Sequence, residues 1–86
     1  MIVHIPSPLL SYTGHKTPVT VRGKTLLAAL KSLDSEYAGF LFRVLDEQGG
    51  IREHVRFFVG TTPTVDLQSS LEGAAEIHII CALSGG

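Results

Sequence analysis

Alternating apolar and polar positions predict short β-strands in both halves of this chain. Residues 1–5 carry a large apolar side chain at every second position until Pro6 ends the run, which is typical of a strand with one buried face. The same period recurs at residues 19–22, 54–59 and 76–81, and residues 65–67 predict a brief edge strand. These segments supply enough strands for one small sheet.

One segment between the strands has a helical period instead. Leu26, Leu30 and Leu33 recur at spacings of three and four and form an apolar stripe, and Thr25 precedes them as an N-cap. With strands on both sides in the sequence, this stripe is expected to pack into the core. Gly39 predicts the end of the helix.

The order of these elements predicts an α+β fold of the β-grasp, or ubiquitin-like, type. Residues 40–45 are apolar except for one arginine and predict a short strand or a pair of turns, before a polar turn at residues 46–50. Two strands, a helix and a return to the same sheet place the helix across one sheet face. We expect a mixed four- to five-stranded sheet packed on one main helix, with the first and last strands adjacent at its centre. We expect residues 1–81 to form the β-grasp domain and residues 82–86 to form a flexible C-terminal tail.

Composition and charge narrow the class of protein further. The chain has 86 residues, 44 % of them apolar, which is enough for one modest core. Its formal net charge of −1, with scattered Lys and Arg, gives no electrostatic reason to expect a nucleic acid or a membrane as partner. A single cysteine excludes a disulfide framework within the chain. We expect a cytoplasmic protein.

Few side chains indicate chemistry within the body of the protein. His4 and His78 share the outward parity of their strands, with Glu76 beside them, but a closed zinc site needs about four ligands, so we expect no metal. Cys81 has the inward parity of the isoleucines before it, which predicts a buried and inert thiol. The body carries no recognisable catalytic motif.

Two features point instead to a partner protein. Phe58 and Ile80 have outward parity on strands whose inner faces already supply the core, which predicts an apolar partner surface; the alternative is that residues 7–18 cover them. Gly85 and Gly86 follow an apolar strand by only a few residues. Bare backbone anchored to a strand suits insertion into another protein's active site, whereas an ordinary frayed terminus is the alternative.

On these residues the chain resembles the MoaD/ThiS family of β-grasp sulfur carriers. The matching stretches are LFRVLDEQG at 41–49, REHVRFFV at 52–59 and EIHII at 76–80, leading into the Gly85-Gly86 pair, which is the specific part of the match. Three features depart from the family pattern: residues 60–61 replace an Asn-Gly turn, residues 74–75 replace an acidic turn, and Cys81 stands where a proline is common. The departures leave the pathway open.

The resemblance implies that the Gly86 carboxylate is the reacting group. An E1-like adenylyltransferase would use ATP and Mg²⁺ to form an acyl-adenylate at Gly86, and a sulfur donor, either a sulfurtransferase or a cysteine desulfurase, would displace AMP to leave a thiocarboxylate. Leu83, Ser84 and Gly85 would be recognised in the partner's channel, and Phe58 and Ile80 would dock the body. The domain itself would bind no cofactor and would serve as a protein cosubstrate rather than as an enzyme.

The sequence is compatible with several functions. The first choice is a carrier like the small subunit of molybdopterin synthase, whose acceptor is the large subunit; a carrier for a cysteine synthase or for a thiamine-type pathway is the alternative. A protein modifier joined through Gly86 to lysines uses the same activation. A further alternative, from a different functional class, is a ubiquitin-like interaction domain in which the C-terminal tail has no chemical role.

Overall fold

Five strands and two α-helices make up the protein in a computed structural model, which describes residues 1–82. A 3₁₀ helix spans Ser7–Thr13 and fills the long connection between the first two strands. The elements are β1 (Ile2–His4), β2 (Val19–Thr20), α1 (Leu26–Glu36), α2 (Phe40–Val44), β3 (Val55–Val59), β4 (Thr62–Thr64) and β5 (Glu76–Cys81). No helix within residues 1–82 combines the length and the apolar character needed to cross a bilayer.

The strands form one mixed sheet in the order β2-β1-β5-β3-β4. β1 and β5 pair in parallel, and the other neighbouring strands pair antiparallel. The first and last strands are therefore adjacent, as predicted, and β5 occupies the middle of the sheet. This arrangement confirms the α+β fold of β-grasp type.

Helix α1 covers the inner face of the sheet. The Thr25 hydroxyl accepts a hydrogen bond from the Ala28 amide at 3.1 Å and caps the helix, as predicted. Leu26, Leu30 and Leu33 are fully buried against the inward side chains of the sheet, which include Val3, Val55, Phe57, Ile77 and Ile79. Burying each of these large side chains contributes about 1.5–3 kcal/mol.

The segment at residues 40–45 corrects the prediction of a strand or a pair of turns, because it contains helix α2. The Asp34 carboxylate, near the end of α1, accepts hydrogen bonds from the amides of Gly39 and Leu41 at 3.2 and 3.0 Å, at the N-terminus of α2. Phe40 and Val44, one helical turn apart, are fully buried. Gly39 is accordingly the N-cap of α2, with a φ of 93°, while α1 already ends at Glu36.

The edge strand also lies elsewhere than predicted. β4 is Thr62–Thr64 rather than residues 65–67, and Val65 is 84 % exposed. Val59 pairs with Thr62 across a two-residue turn in which Gly60 has a φ of 62°, so pairing with β3 begins directly after the turn. β2 is likewise shorter than the predicted residues 19–22.

Candidate functional site

The outer face of the sheet, opposite α1, carries the two residues predicted to meet a partner. Ile80 on β5 is 47 % exposed and lies opposite Arg56 on β3. Phe58 is half-buried and lies opposite His78, two residues further along the same two strands. Phe58 and Ile80 are therefore diagonal neighbours on adjacent strands, a spacing at which long side chains interact. The outward placement is as predicted, and the docking role stays a prediction.

Beside this apolar pair lies a cluster of His4, Glu76 and His78. β1 and β5 place the two histidines opposite each other, and their rings stack with centroids 4.3 Å apart and planes 4° from parallel. Glu76 Oε1 lies 3.0 Å from His4 Nε2, and Glu76 Oε2 lies 3.7 Å from His78 Nε2. The hydrogen bond from His4 is the main reason why the pKa of Glu76 lies below its ordinary value.

The last described residues fix the point from which the C-terminal segment leaves the sheet. Cys81 ends β5 opposite Val55, and the Ala82 amide donates a hydrogen bond of 2.7 Å to the His54 carbonyl. The chain is thus held by backbone hydrogen bonds up to Ala82. The four residues predicted to react or to be recognised, Leu83, Ser84, Gly85 and Gly86, lie outside the described residues.

An open groove adjoins this exit point along β3. Ala82 lines this groove together with Phe58, His54 and the arginines at 52 and 56. The Arg52 Nε donates to the Phe42 carbonyl at 2.8 Å, and Arg56 Nη1 donates to the Val55 carbonyl at 2.9 Å. The groove connects the exit of the C-terminal segment with Phe58 on the outer sheet face.

Three solved structures resemble the chain along nearly its whole length. The BexX/CysO complex of Amycolatopsis orientalis matches with a TM-score of 0.88 and 24 % identity, over 99 % of this chain and 98 % of that chain. CysO of Mycobacterium tuberculosis, an antigen, matches with a TM-score of 0.87 and 25 % identity, over 95 % and 98 %. SAMP1 from Haloferax volcanii, small archaeal modifier protein 1, matches with a TM-score of 0.78 and 22 % identity, over 100 % and 98 %.

The chain has the β-grasp fold of MoaD/ThiS type. This confirms the resemblance found in the sequence. No family model matches the chain, and no curated protein matches it.

In this β-grasp domain Cys81 is less buried than its parity predicted. Its side chain is half-buried, because the last residue of β5 lies at the edge of the core rather than inside it. Burial nevertheless raises the pKa of the Cys81 thiol, so the thiol stays protonated at neutral pH. The structure thus corrects the predicted full burial of Cys81. The raised pKa of its thiol agrees with the predicted low reactivity.

Sequence reasoning missed the part that His54 plays at the exit of the C-terminal segment. The residue contributes its backbone carbonyl, which accepts the Ala82 hydrogen bond, and this contact depends on the β3–β5 register. Because the contact is a hydrogen bond between backbone atoms, the type of side chain at position 54 does not predict it. The sequence indicated only, through alternation, that both segments are strands.

Proposed function

We propose that this protein is a sulfur carrier that is activated at the carboxylate of Gly86. It acts as a protein cosubstrate for an E1-like adenylyltransferase and delivers its sulfur to an acceptor enzyme. The domain supplies a folded body that partners bind, and the chemistry takes place on the Gly-Gly end.

The observation that carries the proposal is the position of β5. It is the central strand of the sheet, and its end is tied to the neighbouring strand through the hydrogen bond between Ala82 and His54. Residues 83–86 therefore start from a fixed point, and four residues can span at most about 14 Å. A partner that binds the outer sheet face can thus hold its active site at a set distance from the body.

The chemistry follows from the low reactivity of a carboxylate. With an unperturbed pKa of about 3.5, the Gly86 carboxylate is anionic at neutral pH and a poor electrophile. Its oxygen attacks the α-phosphate of ATP, held with Mg²⁺ by the activating enzyme, and pyrophosphate leaves. The terminal sulfur of a persulfide, carried by a sulfurtransferase or a cysteine desulfurase, then attacks the acyl carbon, so that AMP leaves and an acyl disulfide joins the two proteins. A thiol reduces this disulfide, which releases the donor protein and leaves a thiocarboxylate on Gly86.

Glycine at the last two positions suits this reaction. Leu83 and Ser84 are recognised at the entrance of the partner's channel, while Gly85 and Gly86 add no side chain that would widen it. A narrow channel then aligns the carboxylate with the α-phosphate, and such alignment lowers the barrier of the reaction. Phe58 and Ile80, with the groove that leads to Ala82, provide the docking surface for the body.

The acceptor is proposed from the structural neighbours. Two CysO proteins match the fold with TM-scores of 0.88 and 0.87, and one of them was crystallised in a complex with BexX. This likeness favours a CysO-like carrier, with a cysteine synthase as acceptor, over the molybdopterin synthase large subunit expected first and over a thiamine-type pathway.

A protein modifier is the second candidate, and the likeness to small archaeal modifier protein 1 favours it. Activation at Gly86 is the same in both cases. They differ in the nucleophile, because a lysine amine in place of sulfur gives an amide bond to another protein. Cells that produce the protein then contain a ladder of larger conjugates.

Intact-mass spectrometry tests the proposal. The protein purified from its own host, or incubated with that host's activating enzyme, sulfide and ATP·Mg²⁺, should gain the mass difference between one sulfur and one oxygen. Deletion of Gly86 should abolish this gain, and omission of ATP is the control. Failure of the wild type to form either an adenylate or a thiocarboxylate would show that the tail is incidental and that the protein is an interaction domain.

A further inference from the structure

Three metal-ligating side chains meet on the outer face of the sheet. His4 on β1 and His78 on β5 occupy one register position of the parallel pair, so their rings lie side by side. Glu76 is two residues before His78 and therefore lies on the same face. Its two carboxylate oxygens lie 3.0 Å from His4 Nε2 and 3.7 Å from His78 Nε2. The Nε2 atoms of both rings thus lie close to one carboxylate, and the His4 Nε2 is hydrogen-bonded to it.

We propose that His4, Glu76 and His78 bind one divalent transition-metal ion, with Zn²⁺ as the reference case. Two imidazole nitrogens and one carboxylate oxygen suit zinc, nickel and copper, whereas Mg²⁺ and Ca²⁺ prefer oxygen ligands throughout. The ligand atoms all lie within 4.8 Å of one another. In a tetrahedral zinc site with bonds of about 2.0–2.2 Å, neighbouring ligand atoms are about 3.3–3.6 Å apart. Metal binding therefore requires the ligand atoms to approach one another and the two stacked imidazole rings to tilt, so that both Nε2 lone pairs meet at one ion.

The backbone of the sheet holds the three proposed ligand residues next to one another. β1 and β5 are adjacent strands in the interior of the sheet, and their pairing fixes the relative positions of the three Cα atoms. The side chains of His4 and Glu76 are 35 % and 44 % exposed, which leaves them free to turn toward an ion. Metal binding replaces the hydrogen bond between these two residues and places the proton of each neutral imidazole on Nδ1.

Three protein ligands leave a fourth position of the ion open toward the exterior. His78 lies directly opposite Phe58, and Ile80 is two residues further along β5, so the ion would border the apolar docking surface. A water molecule or a ligand atom of a bound partner fits the open position. The site uses no residue of the C-terminal segment, so its existence does not depend on the proposed sulfur chemistry.

Zinc titration of the full-length protein, with any affinity tag removed, tests the proposal. After treatment with a chelator, the wild type is expected to bind one equivalent of Zn²⁺ in a calorimetric titration. The variants H4Q and H78Q each remove one ligand atom and should weaken zinc binding at least tenfold. H54Q is the matched control, because His54 is an exposed histidine outside the cluster, and its zinc affinity should equal that of the wild type.

A second measurement separates direct ligation from a structural effect of the variants. In ¹⁵N NMR spectra of the wild type, the ring nitrogens of His4 and His78 should shift on addition of Zn²⁺, while those of His15 and His54 should not. Zinc binding that survives in the H4Q/H78Q double variant would overturn the proposal. So would an equal loss in H54Q, or one ion held between two protein molecules.

Discussion

The substitution Gly23→Ala tests how closely the chain before α1 approaches the helix. A methyl carbon on Gly23 would lie 2.5 Å from the Ala29 nitrogen and 2.8 Å from the Ala29 Cα. Ordinary contact begins at 3.4 Å, so the methyl group falls about 0.9 Å short of it. The obstacle is helix backbone and cannot rotate away as a side chain would.

Neither side of this contact is free to move. Ala29 is a fully buried residue of α1, so a shift of this helix would disturb the packing of its leucines. On the other side, the Lys24 carbonyl accepts a hydrogen bond from the Leu71 amide at 2.9 Å, and the Arg22 carbonyl accepts one from the Ser32 hydroxyl at 2.6 Å. The strain therefore remains in the folded state.

The expected loss of stability follows from two opposing terms. Overpacking costs about 1–3 kcal/mol, and contact with backbone on both sides favours the upper end of that range. Alanine also restricts the unfolded chain, which offsets about 0.4–1 kcal/mol. The net change in the free energy of unfolding is a loss of about 2 kcal/mol, which corresponds to a fall in Tm of roughly 8–16 °C for a domain of this size.

Urea unfolding followed by far-UV circular dichroism measures this change as a lower midpoint at constant m-value. Gly50→Ala is the matched control, because its methyl group meets only the half-buried carboxylate of Asp46, a side chain rather than backbone, at 3.3 Å. The control should lose less than about 1 kcal/mol. If Gly23→Ala unfolds within about 0.5 kcal/mol of the wild type, the close approach to α1 is refuted.

Three further predictions concern the cap, the thiol and the docking surface. Thr25→Ala removes the acceptor for the Ala28 amide and should lower the free energy of unfolding by about 1 kcal/mol, as measured in urea. Cys81 should react with iodoacetamide more slowly than a free thiol near pH 8, and faster as the pH rises, because burial raises its pKa. Ile80→Ser should slow adenylation by the activating enzyme, whereas Phe42→Ser, at an exposed apolar position on α2 that does not line the groove, should not.

Each of these predictions has a result that contradicts it. Thr25→Ser keeps the hydroxyl, so an equal loss in both cap variants would count against the capping bond. Alkylation of Cys81 at the rate of glutathione would show a thiol that burial does not protect. Equal adenylation of wild type and Ile80→Ser would remove Ile80 from the docking surface, provided that both proteins unfold at the same urea concentration.

Part of the fold could be predicted from the sequence because burial of one face imposes a local period. The leucine stripe that begins at Leu26 predicted α1, and alternation predicted β3 and β5 together with the outward placement of Phe58, His78 and Ile80. Residues 40–45 offered no such period. Apart from Arg43 these residues are all apolar, which fits a strand or a helix, and the Asp34 carboxylate at the start of α2 favours the helix.

The candidate sites, like the fold, could be predicted only in part from the sequence. The sequence by itself determined which residues are candidates for chemistry: the Gly85-Gly86 pair predicted to react, two histidines and a glutamate with outward parity, and one cysteine. Only the tertiary structure decided that the rings of His4 and His78, from opposite ends of the chain, stack on each other beside the Glu76 carboxylate, and that the Ala82 amide is held by the His54 carbonyl. Strand pairing brings these groups together, and register depends on the packing of the whole sheet.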